Sequence, residues 1–240
     1  MLLYNLFRIF QGGGKQKLNF CEMIMGKKVI NKVIAPKIIE DLKLIDILDR
    51  NLEDDELYEE IHFDSCDMYD QIAEHVEFSQ CIFKNVNITN SKLRHIDLTD
   101  VIFENCDLSN VDFSNGIIHR VEFKNCKLVG ANFADSTLQN VKIEECNCDY
   151  ANFAFAALKN VEIKNSTLNS GSIESCKVSG VEFNGVTMRR FDISKAGVKG
   201  IDFTSCDIEG LIGEVRDLYG IIVTPMQALS LSKIMGIVIK

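Results

Sequence analysis

From Phe63 to Ile208 every fifth residue of the chain is apolar: Phe63, Met68, Ala73, Phe78, Phe83, Ile88, Leu93 and onward to Phe203 and Ile208, thirty consecutive positions in one phase. Two residues before most of these centres stands a smaller apolar or small polar residue, such as Val101, Cys106, Val111, Val121, Cys126, Ala131 and Ser136; Gln71 is the one clear misfit. A period of five matches neither the 3.6 of a helix nor the 2 of a strand. Inward positions separated alternately by two and by three residues fit strand, turn, strand instead. Two residues after the centre the chain repeatedly offers Asn or Gly, as at Asn85, Asn90, Asn105, Asn110, Gly130 and Gly180. Those residues tolerate the positive φ that tight turns demand. The pattern predicts a solenoid of very short strands with a corner every five residues, successive coils lying about 4.8 Å apart and the interior filled by side chains.

Cys106-Asp107-Leu108-Ser109-Asn110 and Ala131-Asn132-Phe133-Ala134-Asp135 resemble the A(D/N)LXX motif of the pentapeptide-repeat family, and the resemblance covers residues 61–208. It implies an all-β fold, a right-handed quadrilateral parallel β-helix with four pentapeptides, hence twenty residues, in each coil. The sequence supports an even coil, because Val-x-Phe repeats (Val101/Phe103, Val111/Phe113, Val121/Phe123) alternate with Cys-or-Ser-x-Leu repeats (Cys106/Leu108, Cys126/Leu128, Ser136/Leu138). On twenty-residue coils Phe63, Phe83, Phe103 and Phe123 stack on one side, and Phe113, Phe133 and Phe153 on the side across from it.

Terminal coils of a solenoid expose apolar edges and need caps. Thr224-Pro225-Met226-Gln227 reads as an N-cap, a proline in the first turn and a capping-box glutamine, with Gly236 closing the helix. On that helix Ala228, Leu231, Ile234 and Met235 share a face that caps the last coil. Met226 and Leu229 lie opposite and, with the tail Ile237, Val238 and Ile239, form the candidate homodimer contact. Pro36 to Leu48 is helix-like, and Glu53, Asp54, Asp55, Glu56, Glu59 and Glu60 make an acidic run before the first coil. The expected organisation is a disordered extension or over-called start at 1–26, a helical and acidic N-terminal cap at 27–60, the β-helix at 61–210, and a C-terminal helix and tail at 211–240. The opening apolar run is too short for a secretory signal and lacks a cleavage site, and no stretch reaches the ~20 apolar residues of a membrane span. The expected setting is the cytoplasm, without membrane association.

Composition narrows the function. A hydrophobic share of 46% excludes a disordered chain, and a formal net charge of -9 argues against direct nucleic-acid binding through a basic surface. Seven of the nine cysteines hold the small inward position, where parallel thiols lack the geometry for a disulfide or a metal and read as packing. Of four histidines, only His75 and His95 are twenty residues apart. No nucleophile stands beside a base, and Gly12–Gly14 lacks the Lys-Ser/Thr of a phosphate loop. The expectation is a protein that is not an enzyme, with no catalytic residue, cofactor or metal.

Charge is the remaining clue. Across residues 61–208, 21 acidic residues meet 14 basic ones. The side holding Phe63, Phe83, Phe103 and Phe123 is the most acidic, and its Glu104, Glu122, Glu144, Glu182 and Asp202 are the candidate partner-binding residues. On it Glu122, Lys142 and Glu162 form one column and Lys124, Glu144 and Lys164 the next, so that charges alternate. Seven and a half coils make a rod roughly 36 Å long, a length over which duplex DNA carries about 21 phosphates. The uninterrupted repeat followed by a helix and tail resembles the quinolone-resistance members of the family, dimeric rods that bind type II topoisomerases by resembling DNA. That resemblance implies a non-enzymatic inhibitor or protector of DNA gyrase or topoisomerase IV. The rival is a generic protein-binding or structural module, because the repeat alone selects no partner. A continuous acidic stripe favours the first and a patchwork of charge the second.

Overall fold

The computed structural model describes residues 32–46 and 51–238; the extension expected at 1–26 lies outside them. The solenoid is built on eight-residue strands: β4 (Glu77–Lys84), β5 (Asp97–Glu104), β6 (Ile117–Lys124), β7 (Thr137–Glu144), β8 (Ala157–Lys164) and β9 (Lys177–Asn184). Each pairs in parallel with the strand twenty residues further on, so Phe83 lies on Phe103, Phe103 on Phe123, and Val121 on Val141. Three short strands precede them, β1 (Lys43–Ile45), β2 (Leu57–Glu59) and β3 (Ile61–Asp64). All nine belong to one parallel sheet.

Backbone conformation explains the period of five. From Asp55 to Gly200 every fifth residue has a positive φ, most of them asparagine, aspartate or glycine but also Arg120, Tyr150 and Phe155. Four such corners fall in each twenty-residue coil. One corner sits inside each long strand, at Gln80, Asp100, Arg120, Asn140, Asn160 and Gly180, so each strand bends and covers two adjacent sides of the rod. The other two sides are tied by single bridges, such as Asp107 to Lys127 and Asp112 to Asn132.

The expected aromatic stacks are present. Ring centroids of Phe63, Phe83, Phe103 and Phe123 follow one another at 4.7, 4.7 and 5.0 Å, and Phe133 stacks on Phe153 at 4.9 Å. Phe113 is tilted against Phe133 at 5.7 Å. Gaps in the interior reach only about 10 Å3, too small for a ligand. The small inward position has a polar role as well as a steric one. Cys106 Sγ donates to the carbonyl of Phe83 at 3.3 Å, Cys176 Sγ to that of Phe153 at 2.8 Å, and Ser136 Oγ to that of Phe113 at 2.9 Å. Serine and cysteine both occur in these columns because either satisfies the preceding coil's carbonyl. Burial pushes the Cys81 and Cys176 thiols up to about 11, which keeps them protonated.

The ends depart from expectation. Residues 36–46 hold no helix: Lys43–Ile45 is a strand paired with Ile61–Phe63, and residues 47 and 48 lie outside the described residues. The free edge of the first coil offers backbone hydrogen bonds, and pairing with it outweighs the helical spacing of Ile38, Leu42 and Ile45. Pairing also starts before the sequence repeat, with β2 on β4 and Tyr58 stacked on Phe78 at 5.1 Å. Gln71 is no misfit here: its Oε1 accepts from the Leu52 N–H at 2.9 Å, satisfying the chain that enters the first coil. At the other end, bridges from Asp192 to Ile212 and from Asp202 to Ile222 carry the pairing beyond Ile208. The helix α1 (Pro225–Leu231) follows, with the expected capping box between Thr224 and Gln227. Gln227 Nε2 also donates to the carbonyls of Phe203 and Cys206 at 2.9 and 2.8 Å, closing the last coil. Leu231 is buried and Ile234 packs on the core, but Ala228 and Met235, expected on the capping face, are exposed. The helix is shorter than expected, and turns run from it to Gly236.

Candidate protein-interaction surface

Parallel register places four of the five candidate acidic residues, Glu104, Glu122, Glu144 and Glu182, on one side of the rod in two columns; Asp202 lies beyond β9 and bridges to Ile222. One holds Glu122, Lys142, Glu162 and Glu182 in succession, with Asp202 twenty residues further on. The second runs Lys84, Glu104, Lys124, Glu144, Lys164 and Asn184. Strand alternation forces these side chains outward, because the residues between them, Phe103, Phe123, Ile143 and Ile163, are inward centres.

The columns differ in how their charge is spent. Lys142 Nζ donates to Glu144 at 2.5 Å and lies 3.6 Å from Glu122; Lys164 Nζ donates to Glu144 at 2.9 Å, and Lys84 approaches Glu104 at 3.8 Å. Hydrogen bonds from Lys142 and then Lys164 hold the Glu144 carboxyl down at about 2. The middle of this side is therefore a chequerboard. Toward the C-terminal end the pattern changes: Glu162 lies directly against Glu182, and among the described residues neither Glu182 nor Asp202 forms an ion pair. Like charges about 4.8 Å apart along a ladder repel. Glu162 still has Lys142 as its neighbour on the other side, so Glu182 and Asp202 are the candidate residues left without an ion pair.

A second constellation escaped the sequence reading. Asp100 is buried at the bend of β5 and takes a bidentate contact from Arg120, Nε at 2.5 Å and the second guanidinium nitrogen at 2.6 Å. Burial, followed by the neighbouring Arg120 charge, pushes the His119 imidazole below its ordinary value. Asp100 and Arg120 stand at corner positions twenty residues apart, the same spacing as His75 and His95, and that spacing is the sequence signal for the pair. His75 and His95 stack at 4.7 Å, as their spacing predicted. Among the described residues there is no group of three or more His, Cys, Asp or Glu that could hold a metal ion, and no helix long and apolar enough to cross a membrane. At the C-terminal end Met226 is 72% exposed and Leu229 49%, with Ile237 also exposed; Ile239 lies outside the described residues.

Comparison with known proteins concerns the repeat and the fold. Residues 96–173 match the family model for the pentapeptide repeat region, and residues 62–100 match that for pentapeptide repeats in eight copies. Among solved structures, a trypsin-treated form of QnrB1, a plasmid-mediated fluoroquinolone resistance protein, is 25% identical with a TM-score of 0.52, over 83% of this chain and 98% of that one. HetL, a pentapeptide repeat protein involved in heterocyst differentiation regulation in the cyanobacterium Nostoc, is 16% identical with a TM-score of 0.48, over 71% of this chain and 90% of its own. No curated protein matches the sequence. With an unbroken five-residue phase, a positive-φ corner at every fifth residue from Asp55 to Gly200 and family matches spanning it, the stretch 62–173 of this chain is a pentapeptide repeat region.

Proposed function

We propose that this protein is a non-enzymatic rod that binds a type II topoisomerase, DNA gyrase or topoisomerase IV, in place of DNA in the cytoplasm, and that it protects the enzyme from quinolones. The observation that carries the reading is the likeness to QnrB1 over nearly all of that chain, at 25% identity. The contact of Glu162 with Glu182, and the absence of an ion pair at Glu182 and Asp202 among the described residues, support it: carboxylates without ion-pair partners suit a cationic groove of the kind that receives phosphates. In a supercoiling assay with gyrase from the native host, the protein restores activity lost to a fluoroquinolone, or inhibits supercoiling at high concentration. Glu182→Lys with Asp202→Lys removes the effect while leaving the rod folded, because neither residue has an ion-pair partner to lose. Retained activity in that variant would transfer the contact to another side of the rod.

The chequerboard around Glu122, Lys142 and Glu144 favours a second reading, a generic protein-binding module with another partner. No effect on gyrase or topoisomerase IV at any concentration leaves that reading standing.

The exposed apolar residues Met226, Leu229 and Ile237, continued in sequence by Ile239, are the contact through which two rods associate end to end as a homodimer in this reading. Sedimentation of the full chain then gives a dimer, and Met226→Glu with Leu229→Glu gives a folded monomer. A wild type that stays monomeric at high concentration removes the dimer from the account.

A further inference from the structure

β9 is the last strand of the sheet: it pairs with β8 on one side, and the chain twenty residues further on, 197–204, forms no strand against it. Among the described residues no backbone hydrogen bond joins Lys177–Asn184 to 198–205, whereas β4 to β9 pair with one another in register from end to end. Side chains record the same separation. Phe203 stacks on Phe183 at 5.6 Å, against 4.7, 4.7 and 5.0 Å for the rings from Phe63 to Phe123 in the same column. Cys206 Sγ stands 3.7 Å from the Phe183 carbonyl, where Cys106 and Cys126 reach theirs at 3.3 and 3.5 Å. Val178 is half-buried, although Leu98, Ile118, Leu138 and Leu158 at the same place in earlier coils are buried.

The residues explain the gap. Ala196-Gly197-Val198-Lys199-Gly200 stands where β8 is entered by Ala156-Ala157-Leu158-Lys159-Asn160, so glycine takes the places of alanine and asparagine. Glycine weakens a strand through its backbone entropy and brings no side chain to a ladder. Asn160 donates to Asn140 across coils at 3.3 Å, and Gly180 and Gly200 end that row of amides. The Val198 N–H turns back to the Ala196 carbonyl at 3.0 Å, and Gly200 has a φ of 82°, outside the 49–67° of the corners before it. The other two sides of the rod stay tied. Bridges join Thr187 to Asp207 and Asp192 to Ile212, the Met188 N–H donates to the Asp207 carbonyl at 2.8 Å, and Arg189 pairs with Asp207 at 2.7 Å. The result is a slit on the two strand-bearing sides with a hinge opposite. Glu182 and Lys177 stand on one lip, Asp202 and Lys199 on the other, Lys199 lying over the Tyr219 ring at 5.1 Å.

We infer that the rod opens along this slit: the segment from Val198 to the C-terminal helix swings away from β9 on the two tied sides, uncovering Val178, Val181 and Phe183, while the coils from β4 to β9 stay closed. Local openings are drawn from the part of a fold with the fewest backbone bonds, and here that part lies at one coil boundary. Glu182 and Asp202 ride on opposite lips, so opening changes the spacing between them. A partner that touches both lips shifts the opening by the difference in its affinity for the two spacings. The inference stands whether or not that partner is a topoisomerase.

The test places one thiol on each kind of side in the same coil. Val181 faces the slit and Val186 a tied side; both are buried companions of an inward centre, and Cys81 and Cys106 hold the equivalent places in earlier coils, so Val181→Cys and Val186→Cys fold. The full-length variants are treated with N-ethylmaleimide under native conditions, and labelling at each site is followed by peptide mass spectrometry. Opening at the slit makes the thiol of Val181→Cys react about tenfold or more faster than that of Val186→Cys, because fraying of the whole C-terminal end would expose both alike. Gly197→Ala with Val198→Leu and Gly200→Asn gives the segment the residues of 157, 158 and 160; a Cβ at Gly197 or Gly200 meets nothing closer than 4.0 Å. Added to Val181→Cys, these substitutions restore the ladder and slow its labelling to the rate of Val186→Cys. Equal labelling of the two single variants, or labelling of Val181→Cys that the added substitutions leave unchanged, overturns the inference.

Discussion

Replacing Phe133 by alanine lowers the stability of the rod by about 3–5 kcal/mol. The ring is fully buried, stacks on Phe153 at 4.9 Å, is tilted against Phe113 at 5.7 Å and meets Phe123 edge-on at 6.3 Å. It is thus the ring that joins the two aromatic columns, and its loss leaves a gap in the middle coils that a backbone locked in parallel pairing on every side closes poorly. Coils stabilise only their neighbours in a solenoid, so the damage is concentrated where the two halves are coupled. Lys159→Ala, beside the inward centre Leu158 but exposed, changes stability by under about 0.5 kcal/mol. Urea unfolding midpoints measure both, and equal effects would show that the assigned phase of the repeat is wrong.

Cys126→Arg prevents the rod from forming. Cys126 Sγ lies 3.5 Å from the Phe103 carbonyl and 3.3 Å from that of Lys124, and accepts the Cys106 N–H at 3.4 Å. A guanidinium there carries a desolvation penalty of several kcal/mol and has no space between stacked coils. Cys126→Ser folds, because Ser136 and Ser166 already make the equivalent contacts with backbone carbonyls or N–H groups. Circular dichroism of the purified variants separates the outcomes. A folded Cys126→Arg protein would mean that the small inward column is open to solvent.

The phase of the repeat was legible because a single constraint recurs: one inward centre, one small inward companion and one left-handed corner in every five residues. Where that constraint lapses, the sequence misleads. Gly213 occupies a centre and Arg216 a companion position, which hid the continuation of pairing to Ile222. Ile38, Leu42 and Ile45 satisfy a helical spacing, yet an open strand edge lay next to them and claimed Lys43–Ile45 as β1. Gln71 looked like an error in the pattern because its partner, the Leu52 N–H, belongs to chain that has no repeat of its own. The candidate acidic side was readable as alternating columns, whereas the isolation of Glu182 and Asp202 emerges only from distances. The segment Lys32–Lys37, beside Asp100 and Asn140, carries no periodic signal at all. Its contacts run across coils and are invisible to any count along the chain.

The claim that the rod occupies the place of DNA is tested most directly by competition. Labelled protein is bound to gyrase or topoisomerase IV from the native host and challenged with duplex DNA at increasing concentration and at several salt concentrations. The account predicts that DNA displaces the rod in step with its own binding to the enzyme, and that rod affinity falls as salt screens the attraction over about 8 Å at physiological ionic strength. A ternary complex in which enzyme holds rod and DNA together, or an affinity indifferent to salt, would contradict it.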